Sequence, residues 1–230
     1  MAKSGATSQL RSGGAEGSSD TRLALIGAAV ETLKADGFVG ASARAIAGRA
    51  GCNQGLVFYH FGSVVNLLLA ALDAVSADRL EHYSESVSRV HSISGLVDAA
   101  AAIFQEDLDA GHITVLVEMI GGASSTPGLG PEVAKRIAPW TQFAQRAVDA
   151  SIADTPFDPV VPSGDLALAI VALYMGLEML SHLDGDRAPA LALFAHAQRV
   201  AALFEGFGGS PLATTEPQTP PDQRTPEEAP

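Results

Sequence analysis

The chain of 230 residues contains one cysteine, Cys52, so it has no internal disulfide and no zinc site built on several thiolates. A reducing compartment is the setting that fits. Charge is also scarce, at 17% of residues, and basic charge is scarcer still: 14 Lys and Arg stand against 26 Asp and Glu, a formal net charge of −12. That balance excludes a general basic coat for nucleic acid or anionic lipid, and any contact with a polyanion must be local. Long apolar runs are missing too. The longest uncharged apolar stretch, Leu166 to Leu177, meets Glu178 before it could cross a bilayer, and the opening MAKSGATSQLRSGGAEGSSD lacks the apolar centre of a secretory signal. The expectation is a cytoplasmic protein with no membrane partner.

Catalytic signatures are lacking as well. There is no phosphate-cradling glycine loop, no nucleophile elbow and no acid and base brought together by spacing. The six histidines, at 60, 82, 91, 112, 182 and 196, form no i,i+4 pair and no ligand-spaced cluster with carboxylates. These absences argue for no enzyme activity, no catalytic residues, no cofactor and no metal.

What is present is a large apolar fraction, 47%, enough for a sizeable core. Residues 1–19 are rich in Gly, Ser and Ala, and residues 208–230 hold six of the 13 prolines, so both ends read as disordered tails. Charge is divided unevenly. Residues 20–62 set Arg22, Lys34, Arg44 and Arg49 against Asp20, Glu31 and Asp36, a net +1, whereas residues 63–230 carry −14. The acidity lies outside the first folded unit.

Apolar residues recur at helical spacing almost throughout, which predicts an all-α fold. A first helix from about Thr21 to Asp36 has Leu23, Ile26, Val30 and Leu33 in one stripe, with Gly37 to end it. Ser42 is placed to cap a short helix whose inner face is Ala43, Ile46, Ala47 and Ala50. Gly51 suits the left-handed residue that closes it, and Asn53 suits the cap of the next helix, about Asn53 to Tyr59. Two short helices joined this tightly cross steeply, which is helix-turn-helix geometry. The second exposes Gln54, Tyr59 and His60, a face suited to the major groove, with Gly55 allowing close backbone approach.

The stretch ASARAIAGRAGCNQGLVFYHFGS, Ala41 to Ser63, resembles the helix-turn-helix signature of the tetracycline-repressor (TetR) family of bacterial transcriptional regulators, and the likeness extends over about residues 20–75. The resemblance implies that Ser42 and Arg44 approach phosphates and that Cys52, Asn53, Gln54 and Gly55 lead the recognition helix into the groove. It further implies phosphate contacts from Tyr59 and His60. Two departures stand out: Phe58 takes a position that often bears a tyrosine hydroxyl, and Val64 takes one that usually bears a lysine. Losing one phosphate contact flattens the salt dependence of binding by about 0.9 in the logarithmic slope. Gln54 is the better candidate for reading bases, since Asn53 is occupied if it caps the helix.

The expected organisation is a three-helix DNA-binding domain over residues 20–65 and a larger helical domain for effector binding and dimerisation over residues 66–207. A helix from Ser63 to about Arg89 joins the two as a candidate lever. Further helices are predicted at about 93–109, 112–122, 130–151, 164–184 and 189–206, with Pro139 kinking or breaking the third of these. The last two are apolar on more than one face, and the family pairs them with a twin in a four-helix bundle. The interface candidates are Leu166, Ile170, Leu173, Gly176, Leu177, Leu180, Leu191, Phe194 and Val200. Candidates for an effector pocket are Phe104, Glu118, Met119, Trp140, Phe143 and Tyr174. Glu178 is a further carboxylate in an apolar stretch, where burial without a partner is costly.

The function implied is a homodimeric regulator, in first place a repressor, released from palindromic double-stranded DNA by a small molecule. Paired heads about 34–36 Å apart, or near a multiple of that, would read such a site. The alternative from another class is a helical ligand carrier or enzyme with no role on DNA.

Overall fold

The computed structural model describes residues 9–153 and 162–208, and all of its regular structure is helical among the described residues. The helices are α1 Gln9–Gly40, α2 Ala43–Arg49, α3 Gly55–Phe61, α4 Val64–Ser88, α5 Ile93–Ala110, α6 His112–Ala123, α7 Leu129–Lys135, α8 Ala138–Ile152, α9 Ser163–Asp184 and α10 Ala188–Gly208. The order matches the sequence expectation, with three changes.

Helix α1 starts at Gln9, so residues 9–19 are helical and not a tail; residues 1–8 and most of the expected carboxyl tail, 209–230, lie outside the described residues. Once a helix is nucleated, each added residue brings its own hydrogen bond, which is how α1 carries back through a glycine-rich segment of poor propensity. The Thr21 hydroxyl donates to the Gly17 carbonyl at 2.8 Å along this extension. Secondly, the helix expected at 130–151 is two helices. Pro139 falls in the first turn of α8, where its missing N–H has no intrahelical acceptor to lose. Thirdly, the buried face of α1 is turned by roughly a quarter turn from the expected stripe. Leu23 is exposed, while Leu25, Ala29, Thr32 and Leu33 are wholly buried. Ala28 and Ala29 admit close neighbours on that side, and the Thr32 hydroxyl is satisfied by the Ala28 carbonyl at 2.6 Å.

The head is built on Leu25, Leu33, Ile46, Val57, Leu67 and Leu68, contributed by α1 to α4. Its core does not stop at the expected boundary near residue 65. Val115 and Met119 of α6 and Leu129 and Val133 of α7 belong to the same apolar cluster. Helix α4 runs from this core into the larger half, so head and body share one helix, and the head core reaches into the body through α6 and α7.

Helix α6 is fixed to the end of α1 by two close contacts. Gly37, at φ 70, breaks α1, and the next residue, Phe38, donates its backbone N–H to Glu118 Oε2 at 2.7 Å. The Phe38 ring lies on Gly122, where a Cβ would come within 2.5 Å of it. Only glycine leaves room for that ring.

Helix α9 is 22 residues long and, by length and composition, apolar enough to cross a membrane, longer than its uncharged stretch suggests. One side of it faces the interior of this domain, where Glu178 is buried. Helix α9 packs chiefly on α8, and α10 chiefly on α5, so the last two helices lean on different partners.

Gly122→Ala is expected to push the Phe38 ring off α6 and lower unfolding free energy by about 1–3 kcal/mol, as overpacking does. A urea titration followed by circular dichroism measures it.

Candidate nucleic-acid interface and internal cavity

The reading head is shaped by local hydrogen bonds. The Ser42 hydroxyl accepts from the Ala45 N–H at 3.2 Å and caps α2. At the other end Gly51, at φ 68, takes the left-handed conformation, its N–H reaching the Gly48 carbonyl at 3.3 Å while the Cys52 N–H reaches the Ala47 carbonyl at 3.0 Å. That pair of bonds is a Schellman closure, whose residue after the glycine turns an apolar side chain back onto the helix. Cys52 does so: it is half-buried and packed on the head core. The expectation that Cys52 leads into the groove is therefore corrected, because the closure claims its side chain for the interior.

Asn53 Oδ1 accepts from the Gly55 N–H at 2.8 Å, so Asn53 caps α3 and its amide oxygen is committed. Gln54 makes no capping bond and stands exposed beside it. Ser63 caps α4 through the Asn66 N–H at 3.1 Å, and Asn66 Nδ2 donates to the Phe61 carbonyl at 2.9 Å, which fixes the corner between α3 and α4.

The outer face of the head carries Ser42, Arg44, Asn53, Gln54, Gly55 and Phe58, all exposed, and Tyr59, of which 77% is exposed. His60 is half-buried with its ring edge-on to Tyr59 at 5.0 Å. Phe61 packs inward on the head core under the Arg22 guanidinium, 5.3 Å from the ring centroid. A tyrosine so exposed at the end of a recognition helix has little core to support, and its hydroxyl is open to solvent.

The larger half encloses a cavity of about 110 Å³ between α4, α5, α6, α8 and α9. That is far more than one water needs, so the space has room for a small organic molecule. Of the expected pocket residues, Trp140, Phe143 and Tyr174 line it. Phe104 and Met119 do not; both are fully buried core, Phe104 packing edge-on to Tyr174 and against Phe194. Glu118 is also corrected, since it holds the Phe38 N–H at the head and lies away from the cavity.

One end of the cavity is polar. Asp107, with no exposed surface, accepts from an Arg79 terminal nitrogen and from the Tyr174 hydroxyl at 2.7 Å on one oxygen. On the other it meets the Tyr83 hydroxyl at 3.1 Å and His112 Nδ1 at 3.2 Å. The Arg79 guanidinium lies over the Trp140 ring, 4.3 Å from its centroid. Beside this group Glu178 is 2% exposed, and burial first, then the neighbouring Asp107, pushes its carboxyl up to about 8. The same burial raises the Tyr174 hydroxyl far above its usual range, so it stays a donor.

Sequence reasoning passed over Arg79, Asp107 and His112. The signal was present in spacing: Arg79 continues the series Leu72, Ser76, Arg79, Tyr83, Val87, and Asp107 follows Ile103 and Phe104 on an apolar face. A charged residue in an apolar stripe points to a buried pair.

On the outside of the body, Leu173 and Leu180 of α9 and Val200 of α10 are exposed, together with Leu168, Leu183, Leu193 and Leu203, which the sequence reading did not select. Leu166, Gly176, Leu177 and Leu191 are half-buried. Two candidates turn inward: Ile170 lines the cavity, and Phe194 packs on Phe104 with ring centroids 5.3 Å apart.

Residues 25–71 match the family model of bacterial regulatory proteins of the tetR family. Over those residues the head matches the DNA-binding domain of the tetR family. The tetR-family fold extends through the body. The transcriptional regulator FadR from Bacillus subtilis, in complex with stearoyl-CoA, superposes at a TM-score of 0.65 with 14% identity, over 78% of this chain and 96% of that one. FadR from Bacillus halodurans, a fatty acid degradation regulator, gives 0.66 with 12% identity over 79% and 94%. A TetR-family regulator from Cytophaga hutchinsonii gives 0.65 with 16% identity over 84% and 98%. No curated protein matches the sequence. The head is thus a helix-turn-helix domain of the tetR DNA-binding type, and the body shares the helical fold of these regulators.

Asp107→Asn is expected to lower unfolding free energy by about 3–5 kcal/mol, because it strands the Arg79 charge in the interior. Replacing both residues by apolar ones of similar size should restore most of the loss in the same denaturant titration. A second expectation concerns pH. Glu178 keeps its proton in the folded state up to about 8 but loses it near 4.5 when unfolded, so its contribution to stability falls as pH rises from about 4.5 to 8. Melting temperatures across that window should fall less steeply for Glu178→Gln than for the unaltered protein.

Proposed function

We propose that the protein is a cytoplasmic, homodimeric repressor that reads a palindromic operator through α3 and is released by a small molecule bound in the body cavity. The observation that carries the DNA reading is the exposed face of α3, where Gln54 stands free beside an Asn53 already committed as a cap. Gln54 makes a bidentate pair with an adenine edge, while Tyr59, Ser42, Arg44 and the half-exposed His60 hold phosphates. The twofold partner sits on the leucines of α9 and α10, whose exposure in one chain is large for side chains of this kind.

Release follows from the shared elements. Helix α4 presents Leu72, Ser76 and Arg79 to the cavity and Leu67 and Leu68 to the head core. Helix α6 presents His112 and Leu116 to the cavity, and Glu118 and Gly122 to the end of α1. A ligand that fits the cavity in only one setting of these helices shifts the population toward that setting, and the heads then miss consecutive grooves. The role is binding and not catalysis. Stearoyl-CoA bound to the Bacillus subtilis regulator lends support to a small-molecule effector.

Selection of sites from a randomised duplex pool by fluorescence anisotropy tests the reading. A palindrome should emerge, Gln54→Ala should relax its specificity at one position by about 1–3 kcal/mol, and Tyr59→Phe should weaken all sequences alike. Failure to enrich any sequence at low salt would sink the proposal. Leu173→Glu with Leu180→Glu should convert the dimer to a monomer in sedimentation velocity.

A further inference from the structure

The polar end of the cavity leaves one oxygen atom without a protein donor. Asp107 is saturated, with Arg79 and Tyr174 on one oxygen and Tyr83 and His112 on the other. Glu178 lies one helical turn beyond Tyr174 on α9, lines the same cavity and is buried; its carboxyl hydrogen-bonds with Tyr174 and Asp107, yet its Oε1 meets no protein donor. A buried carboxyl oxygen that no protein group serves accepts from a donor that enters the cavity beside it.

Charge points the same way. Two carboxyl groups, Asp107 and Glu178, share one guanidinium at this end, that of Arg79. The other arginine on the cavity wall, Arg136, is held by Asp73 at 2.7 Å and Glu132 at 3.4 Å. His112 turns its Nδ1 to Asp107 and not to Glu178. Against two ionised carboxylates this end offers one guanidinium, and a proton held on Glu178 makes up the difference when no ligand is bound. A cationic nitrogen replaces that proton and satisfies Oε1 at once. An anionic ligand brings a second negative charge beside Asp107 with no further guanidinium to meet it. The rest of the wall, with Leu72, Ile103, Leu116, Trp140 and Phe143, offers only hydrocarbon and ring surface.

We propose that the cavity selects compact hydrophobic amines, the protonated nitrogen seated on Glu178 Oε1 and the carbon skeleton against Trp140 and Phe143. This rests on the reading of the cavity as the effector site. It separates the chain from the acyl-CoA ligand of its structural relative, whose phosphates and carbonyls would face two carboxyl groups here.

Three probes of one shape test it: 4-phenylbutylamine, 4-phenylbutanol and 4-phenylbutanoate, titrated calorimetrically into the full-length protein at pH 7. The amine is expected to bind at least about tenfold more tightly than the alcohol, as a buried charge pair requires, and the carboxylate to bind weakest. In buffers of different ionisation enthalpy, amine binding should release close to one proton. Glu178→Gln should bring amine and alcohol within about threefold of each other and abolish proton release. The comparison of probes on the unaltered protein stands without the variant. Carboxylate binding as tight as amine binding, amine preference that survives Glu178→Gln, or no amine binding at all would each overturn the proposal. Operator release is read separately by anisotropy. An amine that binds without releasing DNA defeats the effector reading and leaves the ligand class standing; a carboxylate that binds and releases DNA does the reverse.

Discussion

The pair between Arg79 and Asp107 sets the terms for the whole body of the protein. Taking both charges out of water is expensive, and it is tolerable only because each is held by several partners: Asp107 by two tyrosines and a histidine, Arg79 by Asp107 and the face of Trp140. Those partners come from α4, α5, α6, α8 and α9, so satisfying one carboxylate fixes five helices around a common point. The cavity is the space left beside that point. Its polar end is a consequence of the pair, and Glu178 carries the oxygen that the pair leaves unserved.

The same arrangement places the cavity within reach of the head. The head core extends into the body, because Val115 and Met119 pack with Leu25, Leu33 and Leu68 in one cluster. Helices α4 and α6 each carry cavity residues and head contacts within a few turns. A close-packed interior transmits displacement instead of absorbing it. The contact of Glu118 with the Phe38 N–H, and of Phe38 with Gly122, ties α6 to the segment that leads into the reading head.

Much of the head was legible in the sequence because its determinants are local. Ser42, Gly51, Asn53 and Ser63 act on residues two to four positions away, as caps and closures do. Cys52 was misplaced by the same local logic carried too far: its position beside the recognition helix is shared with the closing turn of α2, and the turn takes the side chain. Pro139 was placed correctly as a breaker, though it proved to open a helix and not to kink one. In α1 Ile26 and Leu33 of the expected stripe are buried and Val30 packs on the core, while Leu23 falls outside and Leu25, two alanines and a self-satisfied threonine extend the buried side.

The sequence by itself determined the order of the helices, their caps and the family of the head, since each depends on residues close along the chain. The tertiary structure alone decided the partners of the buried charges and the direction of the apolar faces. Asp107 meets Arg79 across 28 residues and Tyr174 across 67, and Phe38 meets Glu118 across 80. Helices α9 and α10 are apolar all round, so periodicity could not say that Ile170 and Phe194 face inward while Leu173 and Leu180 face out. An amphipathic stripe names its own inner side; a helix apolar on every side takes its orientation from what it packs against.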